Sequence, residues 1–404
     1  MRRLLGALLL VSGLLVALSA QAAYTVTLPK GAFLLDENLS FSLLNRAWNN
    51  SGVLGPLIAP IERYEPGGGK QGTLTPDVDV RFAVLINQLQ YGILDNLSFG
   101  IGIPVVLSTD INVDFGWTPG DYQAQLGRPY SESDFWEWAE SMGQPKPGDW
   151  RGNKGVLSDL VLGLRYRYSD HIDWCRRHNL ALSVMLMANI PTGRQADPEA
   201  VVAAGSTMWD LHSQGELGAH LAIEKFFPES LDGRLSVGFD FFYEALLKQE
   251  FTTPTGVSNP LLLSYAEYVG DTYTLDPGDF LGAAMLVEFV PIRGPAWGTW
   301  LVGGDAGKAG HLPPLLSAAL EYRFTWLFQS NWESASPNWD WEREKLWRPG
   351  YKNTLTGRAT LSLLRLGLPL QVYGTYRNQT WIPGKNTRAA NVYSVGLQVL
   401  AQFW

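Results

Sequence analysis

His212, Glu216 and His220 recur every fourth residue in "DLHSQGELGAHLAIEK". Imidazole and carboxylate groups can ligate a metal or pass a proton when their atoms come within about 3 Å. On a strand, side chains of one face recur every second residue, about 6.6 to 7 Å apart, so His212 and Glu216 are too far apart to touch. The set reads as a polar ladder. A second group, His171, Asp173, Cys175 and His178 in "DHIDWCRRH", lacks both Cys-x-x-Cys and His-Glu-x-x-His spacing and reads as a turn. No metal and no cofactor is expected. No Gly-x-Ser-x-Gly stands in the chain, and His171, His178 and His311 fall in turns, so no catalytic residue is assigned and no enzyme is expected. Cys175 is the only cysteine, which excludes an internal disulfide and a lipid-anchored mature terminus.

The elements that must position these groups alternate with a period of two. In "DLVLGLRYRY", Leu160, Leu162, Leu164, Tyr166 and Tyr168 share one face, while Arg165 and Arg167 take the other. "VDVRFAVLIN" sets Val80, Phe82, Val84 and Ile86 against Asp79 and Arg81, and "LSVGFDFFYE" sets Phe239, Phe241 and Tyr243 against Asp240 and Glu244. "ALEYRFTWLF" opposes Leu320, Tyr322, Phe324 and Trp326 to Glu321 and Arg323. Two later runs place Arg358 and Arg377 opposite leucines, valine and tyrosine. Such runs are about ten residues long with aromatics at the ends of the apolar face, which suits a tilted strand crossing a bilayer better than a strand of a soluble sandwich.

Composition and the opening residues agree with that reading. The 404 residues are 46% hydrophobic and 17% charged with net charge -8, too acidic for a nucleic-acid partner, and include 42 Gly, 16 Trp, 16 Tyr and 17 Phe. Arg2 and Arg3 precede an apolar run from Leu4 to Leu18, and Ala20-Gln21-Ala22 offers a cleavage site, so residues 1–22 are expected to be a signal peptide and residues 23–404 the mature barrel. No later stretch has the roughly 18 apolar residues of a membrane helix. The fold expected is all-β: a transmembrane antiparallel up-and-down β-barrel of about 12 strands in the bacterial outer membrane. Long connections at 46–77, 109–157, 191–208, 249–278, 331–352 and 382–390 would be extracellular and the short ones periplasmic. Its partners would be outer-membrane lipid and lipopolysaccharide, with a small-molecule solute to be carried.

The last strand, "SVGLQVLAQFW", puts Tyr393, Val395, Leu397, Val399, Ala401 and Phe403 on one face. It would close the barrel against the first strand, since an open edge cannot be satisfied in lipid. It is also similar to the C-terminal signature read by the barrel assembly machinery, with Trp404 added after the in-phase Phe403.

The lumen-lining candidates are Asp79, Arg81, Arg165, Arg167, Glu216, His220, Asp240, Glu244, Glu288, Glu321, Arg323, Arg358 and Arg377. Paired with one another they would hold the lumen shut. A selective constriction would instead need Arg165, Arg167, Arg358 and Arg377 to meet at one height. In the long loops, "SESDFWEWAESMGQPKPGDW" predicts a short helix capped by Ser131 or Ser133 that carries Trp136 and Trp138, and a later loop carries Trp339, Trp341 and Trp347. These aromatics would anchor at the membrane interface or form a lid over an apolar or aromatic solute.

"TLPKGAFLLDENLSFS", "LDNLSFGIGIPVV", "GVLSDLVLGLRYRY" and "LALSVMLMANIPTG" together resemble an outer-membrane family named for the meta pathway of phenol degradation, whose members are described as transporters. Asp159 and Pro191-Thr192-Gly193 match that family's motifs, while Gly155-Val156-Leu157-Ser158 lacks its paired glycines. The resemblance covers about the first half of the chain and implies a barrel with a solute route. The function expected is a channel or transporter for small, apolar or aromatic solutes; a structural or ligand-binding barrel with an occluded lumen is the alternative.

Overall fold

The computed structural model describes residues 24–65, 68–121, 127–141, 146–152, 154–193, 215–227, 234–252, 270–295, 313–334, 336 and 349–402. Twelve strands form one antiparallel sheet: β1 Ala32–Trp48, β2 Lys70–Leu94, β3 Leu97–Pro119, β4 Leu160–Arg167, β5 Leu180–Ile190, β6 Glu216–Phe227, β7 Leu235–Leu246, β8 Phe280–Ile292, β9 Leu316–Leu327, β10 Gly350–Ser362, β11 Leu370–Asn378 and β12 Thr387–Gln402. Each pairs with its sequence neighbour, and β1 pairs with both β2 and β12, so the sheet has no free edge and closes into a barrel. The β1–β12 ladder runs from Ala32 opposite Gln402 to Trp48 opposite Thr387. Closure is what lets strands cross lipid, because every backbone N–H and C=O in the wall then has a partner strand. Among the described residues no helix is long and apolar enough to span a membrane.

Alternation sends large apolar side chains outward around the ring. Leu217, Phe241, Leu320, Tyr393 and Val395 are 50 to 62% exposed, save for lipid, as a soluble surface would not tolerate in such continuity. Aromatics cluster on this face near the end carrying the long loops, where Tyr376 stacks on Tyr393 at 4.9 Å and meets Trp381. At the other end a turn joins β10 to β11, where Gly367 takes φ 87° and closes onto the Leu364 carbonyl. Short turns at that end mark it as periplasmic.

The β2–β3 hairpin departs from the alternation expected of it. Its strands have 25 and 23 residues, about twice what a tilted span requires, so their far halves stand above the bilayer. The stretches 70–77 and 109–119, read from sequence as loop, belong to these strands. On β2 the even residues face inward: Val80, Phe82, Val84 and Ile86 are 0 to 8% exposed and pack with Leu44, Val106, Ile111 and Val392. Val80, Phe82, Val84 and Ile86 therefore do not meet lipid. Asp79 and Arg81 lie on the outer face, 3.6 Å apart with the Arg81 side chain 59% exposed, and are not lumen residues. The reason is that β2 carries apolar residues on both faces, Leu85, Leu89 and Tyr91 alternating with the buried set, so parity had no polar face to choose by.

Candidate functional site

The barrel interior is occupied first by the segment that precedes β1. Tyr24, Thr25, Thr27 and Leu28 are all buried, 1 to 8% exposed. Tyr24 OH donates to Glu321 Oε2 on β9 at 2.7 Å, and Thr25 Oγ1 donates to Glu224 Oε2 on β6 at 2.7 Å. Ser183 Oγ on β5 reaches the Tyr24 carbonyl, and an Arg165 guanidinium N–H on β4 reaches the Val26 carbonyl at 3.2 Å. The segment thus touches β4, β5, β6 and β9 and lies across the lumen. Behind it the backbone is pinned to the β2–β3 turn: Lys30 N–H donates to Asp95 Oδ1, Leu28 N–H to Ser98 Oγ and Thr27 Oγ1 to the Asp95 carbonyl.

From Tyr24 a line of contacts climbs toward the extracellular half. Arg323 Nε donates to Glu321 Oε1 at 3.2 Å, and its guanidinium lies 4.9 Å from the Phe242 ring centre. Phe242 stacks on His220 at 5.5 Å. His220 Nδ1 sits 3.0 Å from Asp240 Oδ2, and Nε2 sits 3.7 Å from Glu244 Oε1. Glu216, 1% exposed, stands above them, and neither of its carboxylate oxygens has a hydrogen-bond partner among the described residues. Alternation on β6 explains the set, since Glu216, Gly218, His220, Ala222 and Glu224 share one face. Charge-assisted pairs of this kind stay strong away from bulk water, which favours a network that holds its shape.

A separate network fastens the closing seam. Tyr373 OH on β11 donates to Asp36 Oδ1 on β1 at 2.9 Å and accepts from Asn38 Nδ2 at 2.8 Å, while Gln398 Nε2 on β12 donates to Asp36 Oδ2 at 2.8 Å. Arg358 lies 4.1 Å over the Tyr373 ring. The ring of Tyr373 fills the place above Gly396, where a Cβ would come within 2.1 Å of it.

The sequence candidates are therefore distributed over two heights. Glu216, His220, Asp240 and Glu244 group on β6 and β7; Glu321 and Arg323 pair on β9; Glu288 takes the interior face of β8, opposite Ser236. Arg165, Arg167, Arg358 and Arg377 do not meet: Arg165 and Arg167 belong to the periplasmic half of β4, Arg167 being bound to Asp170, while Arg377 is the next-to-last residue of β11. Asp36, Glu224, Lys352 and Arg388 also face the interior and were missed. Glu224 was legible from the alternation through Glu216 and His220, whereas Lys352 and Arg388 precede the strand starts at 353 and 391 that the sequence suggested.

At the extracellular end a helix, α1 Glu132–Ser141, covers the inner face of the β2–β3 extension, packing Phe135 and Ala139 on Leu74, Phe115 and Trp117. Ser131 is its N-cap: Ser131 N–H donates to Asp134 Oδ2, and Asp134 N–H donates back to Ser131 Oγ. Arg128 grips the same carboxylate through two N–H donors at 2.6 and 2.7 Å, and these bonds hold Asp134 well below the usual carboxylate range. Trp136 is locked edge-on to Phe115 and donates to Glu132, so it is a packing residue; Trp138 is 44% exposed with Arg63 4.0 Å above its ring. Trp339, Trp341 and Trp347 lie outside the described residues, as do residues 1–22, His212, His311, Phe403 and Trp404. Near the periplasm, His171 bonds Asn96 and His178 bonds the Trp174 carbonyl. Among the described residues no three His, Cys, Asp or Glu side chains are grouped to hold a metal.

The phrases that suggested a family prove to be mutual partners. Gly193 N–H donates to Asp159 Oδ1 at 3.0 Å and Leu160 N–H donates to Thr192 Oγ1 at 3.0 Å, just as the segment from Thr27 to Lys30 binds Asp95 and Ser98. No protein-family model and no curated protein matches the chain. Among solved structures it is similar to the COG4313 outer membrane channel from Pseudomonas putida F1, at 12% identity and a TM-score of 0.55 over 95% of this chain and all of that one. The fold is that of an outer-membrane β-barrel. Looser likenesses are to the CymD monoaromatic hydrocarbon channel (10% identity, TM-score 0.34, 95% of each chain) and the NanC porin (8%, 0.36, 90% of this chain and 98% of that one). These two superpose too loosely to add to the fold.

Proposed function

We propose that the protein is an outer-membrane channel for small solutes, closed at rest by its own N-terminal segment and not an enzyme. The observation that carries this is a closed wall whose inner face bears ionisable side chains at successive heights, crossed by one short segment held through a few hydrogen bonds. A core built only for stability would fill such a space with apolar side chains, since buried charge adds little to stability. Apolar or aromatic solutes are the class suggested by the lid of Phe115, Phe135, Trp136 and Trp138 and by the resemblance to transporters of the phenol meta-pathway family, with the C-terminal strand serving the assembly machinery.

The test is reconstitution of the mature chain in proteoliposomes, followed by swelling with phenol-sized solutes and by conductance in a planar bilayer. Uptake above that of protein-free vesicles is expected. Its absence, both for the intact chain and after removal of residues 23–27, favours the second reading, an occluded barrel that binds ligands or serves a structural role. The placement of Tyr24 and Thr25 across the lumen is what supports that second reading.

A further inference from the structure

The ionisable groups of the extracellular half are sorted by side. Glu216 is the first residue of β6 and Glu244 the third from the end of β7, so both stand at the extracellular rim of one wall. Three to six strands further round the ring, Lys352 is the third residue of β10, Arg377 the next-to-last of β11 and Arg388 the second of β12. Three cations thus occupy the same end of three consecutive strands, on a different stretch of the wall from the two carboxylates.

These cations differ from Arg165, Arg323 and Arg358 in having no acceptor among the described residues. Arg323 is paired with Glu321, Arg358 donates to Thr360 Oγ1 and lies on Tyr373, and Arg165 donates to the Val26 carbonyl. Lys352, Arg377 and Arg388, half-buried, make no hydrogen bond or ion pair among the described residues; Lys352 and Arg377 lie close enough to repel each other, and Glu244 and Glu321 attract them only from beyond contact distance. Leaving like charges together and unpaired costs stability, so a fold that keeps them there has reason to hold a negative group between them. Toward β12 their neighbours on the same face are apolar, Arg377 standing opposite Val392 and Arg388 two residues from Ala390, while toward β10 and β9 they are hydroxyls, Thr356 opposite Arg377 and Thr325 opposite Lys352. Val392 and Ala390 join the cluster of Leu44, Val80 and Phe82.

From this arrangement we infer that the extracellular half of the lumen holds a binding site for an organic carboxylate, its anionic group received by Lys352, Arg377 and Arg388 and its apolar body lying toward Val392. A guanidinium presents two parallel N–H donors that match the two oxygens of a carboxylate, and Glu216 and Glu244 on β6 and β7 repel the anion toward the basic stretch of wall. The inference rests on the channel reading and names the class of solute for it.

Benzoate is the probe, benzamide its neutral counterpart, titrated calorimetrically into the full mature chain in detergent at low salt. Saturable benzoate binding with no benzamide binding is expected. In Lys352→Gln/Arg377→Gln the benzoate affinity should fall about tenfold or more, which corresponds to ~1.4 kcal/mol, and Lys352→Arg should retain it. Folding of each variant is read from heat-modifiable gel mobility; if the double variant does not fold, Lys352→Gln and Arg388→Gln take its place singly with the same direction expected. No benzoate binding by the intact protein, equal binding of benzamide, or an affinity unchanged by removal of the charges overturns the inference. Binding is measured without conduction, so a protein that conducts but ignores benzoate refutes the carboxylate site alone, and one that binds benzoate but never conducts refutes the channel alone.

Discussion

The hydroxyl of Tyr24 donates to Oε2 of Glu321 across 297 residues of sequence, and the acceptor's other oxygen is held by Arg323. The segment before β1 is thereby tied to the ninth strand through the lumen. Tyr24→Phe removes only the donor and leaves a buried carboxylate oxygen unpaired, at a cost of about 1 to 3 kcal/mol. The expected result is longer or more frequent openings in planar-bilayer recordings, with a larger effect for a mature chain that begins at residue 28. Openings indistinguishable from those of the intact chain would remove the N-terminal segment from the account of closure.

At the seam, Gly396 gives its space to the ring of Tyr373. In Gly396→Ala the new methyl must displace that ring and with it the bond to Asp36, an overpacking change of about 1 to 3 kcal/mol. A lower urea midpoint is expected for Gly396→Ala, and its cost should be much smaller in a Tyr373→Ala background than in the intact protein, because Tyr373→Ala, itself destabilising, clears the clash. A double variant as unstable as the sum of the two single ones would show that the pair is not coupled.

Below the usual carboxylate range the lid should loosen before the barrel does. Asp134 is stabilised as the anion by Arg128 and Ser131, so its pKa in the folded lid lies below its value in the unfolded chain, about 3.9. The stabilisation is complete above that value and is lost as pH falls through the folded pKa. Limited proteolysis around Arg128 and Lys146 is therefore expected to accelerate as pH drops below about 4, while heat-modifiable mobility persists. Asp134→Asn should be cleaved faster at neutral pH and show little further change on acidification.

The two linked ends of β4 and β5 make a last test. Asp159, 5% exposed, accepts from the Gly193 N–H, and Asp159→Ala leaves that donor unsatisfied. A destabilisation of about 1 to 3 kcal/mol is expected. Thr192→Val, which removes the acceptor for the Leu160 N–H, should have the same sign and a smaller size, since that group is exposed. A thermal midpoint unchanged in Asp159→Ala would make the contact incidental.

What was legible in sequence followed from period two. Leu217, Phe241, Leu320 and Val395 point outward because side chains on a strand must alternate and lipid accepts only the apolar face, and "SVGLQVLAQ" had to find β1 because an edge cannot remain open in hydrocarbon. The same rule placed Asp240, Glu244, Glu321 and Arg377 on the inner face. It failed at β2, where both faces are apolar and the strand rises past the bilayer, so Asp79 and Arg81 were turned the wrong way. Alternation gives a side and no height: it could not say that Arg165 and Arg377 lie at opposite ends of the lumen, nor that Lys352, Arg377 and Arg388 share one. Those relations come from the stagger of neighbouring strands, set by hydrogen-bond register around the whole ring. Least legible of all was the segment at Tyr24, which has no periodic signal and takes its place through side-chain contacts with strands 139 to 297 residues away.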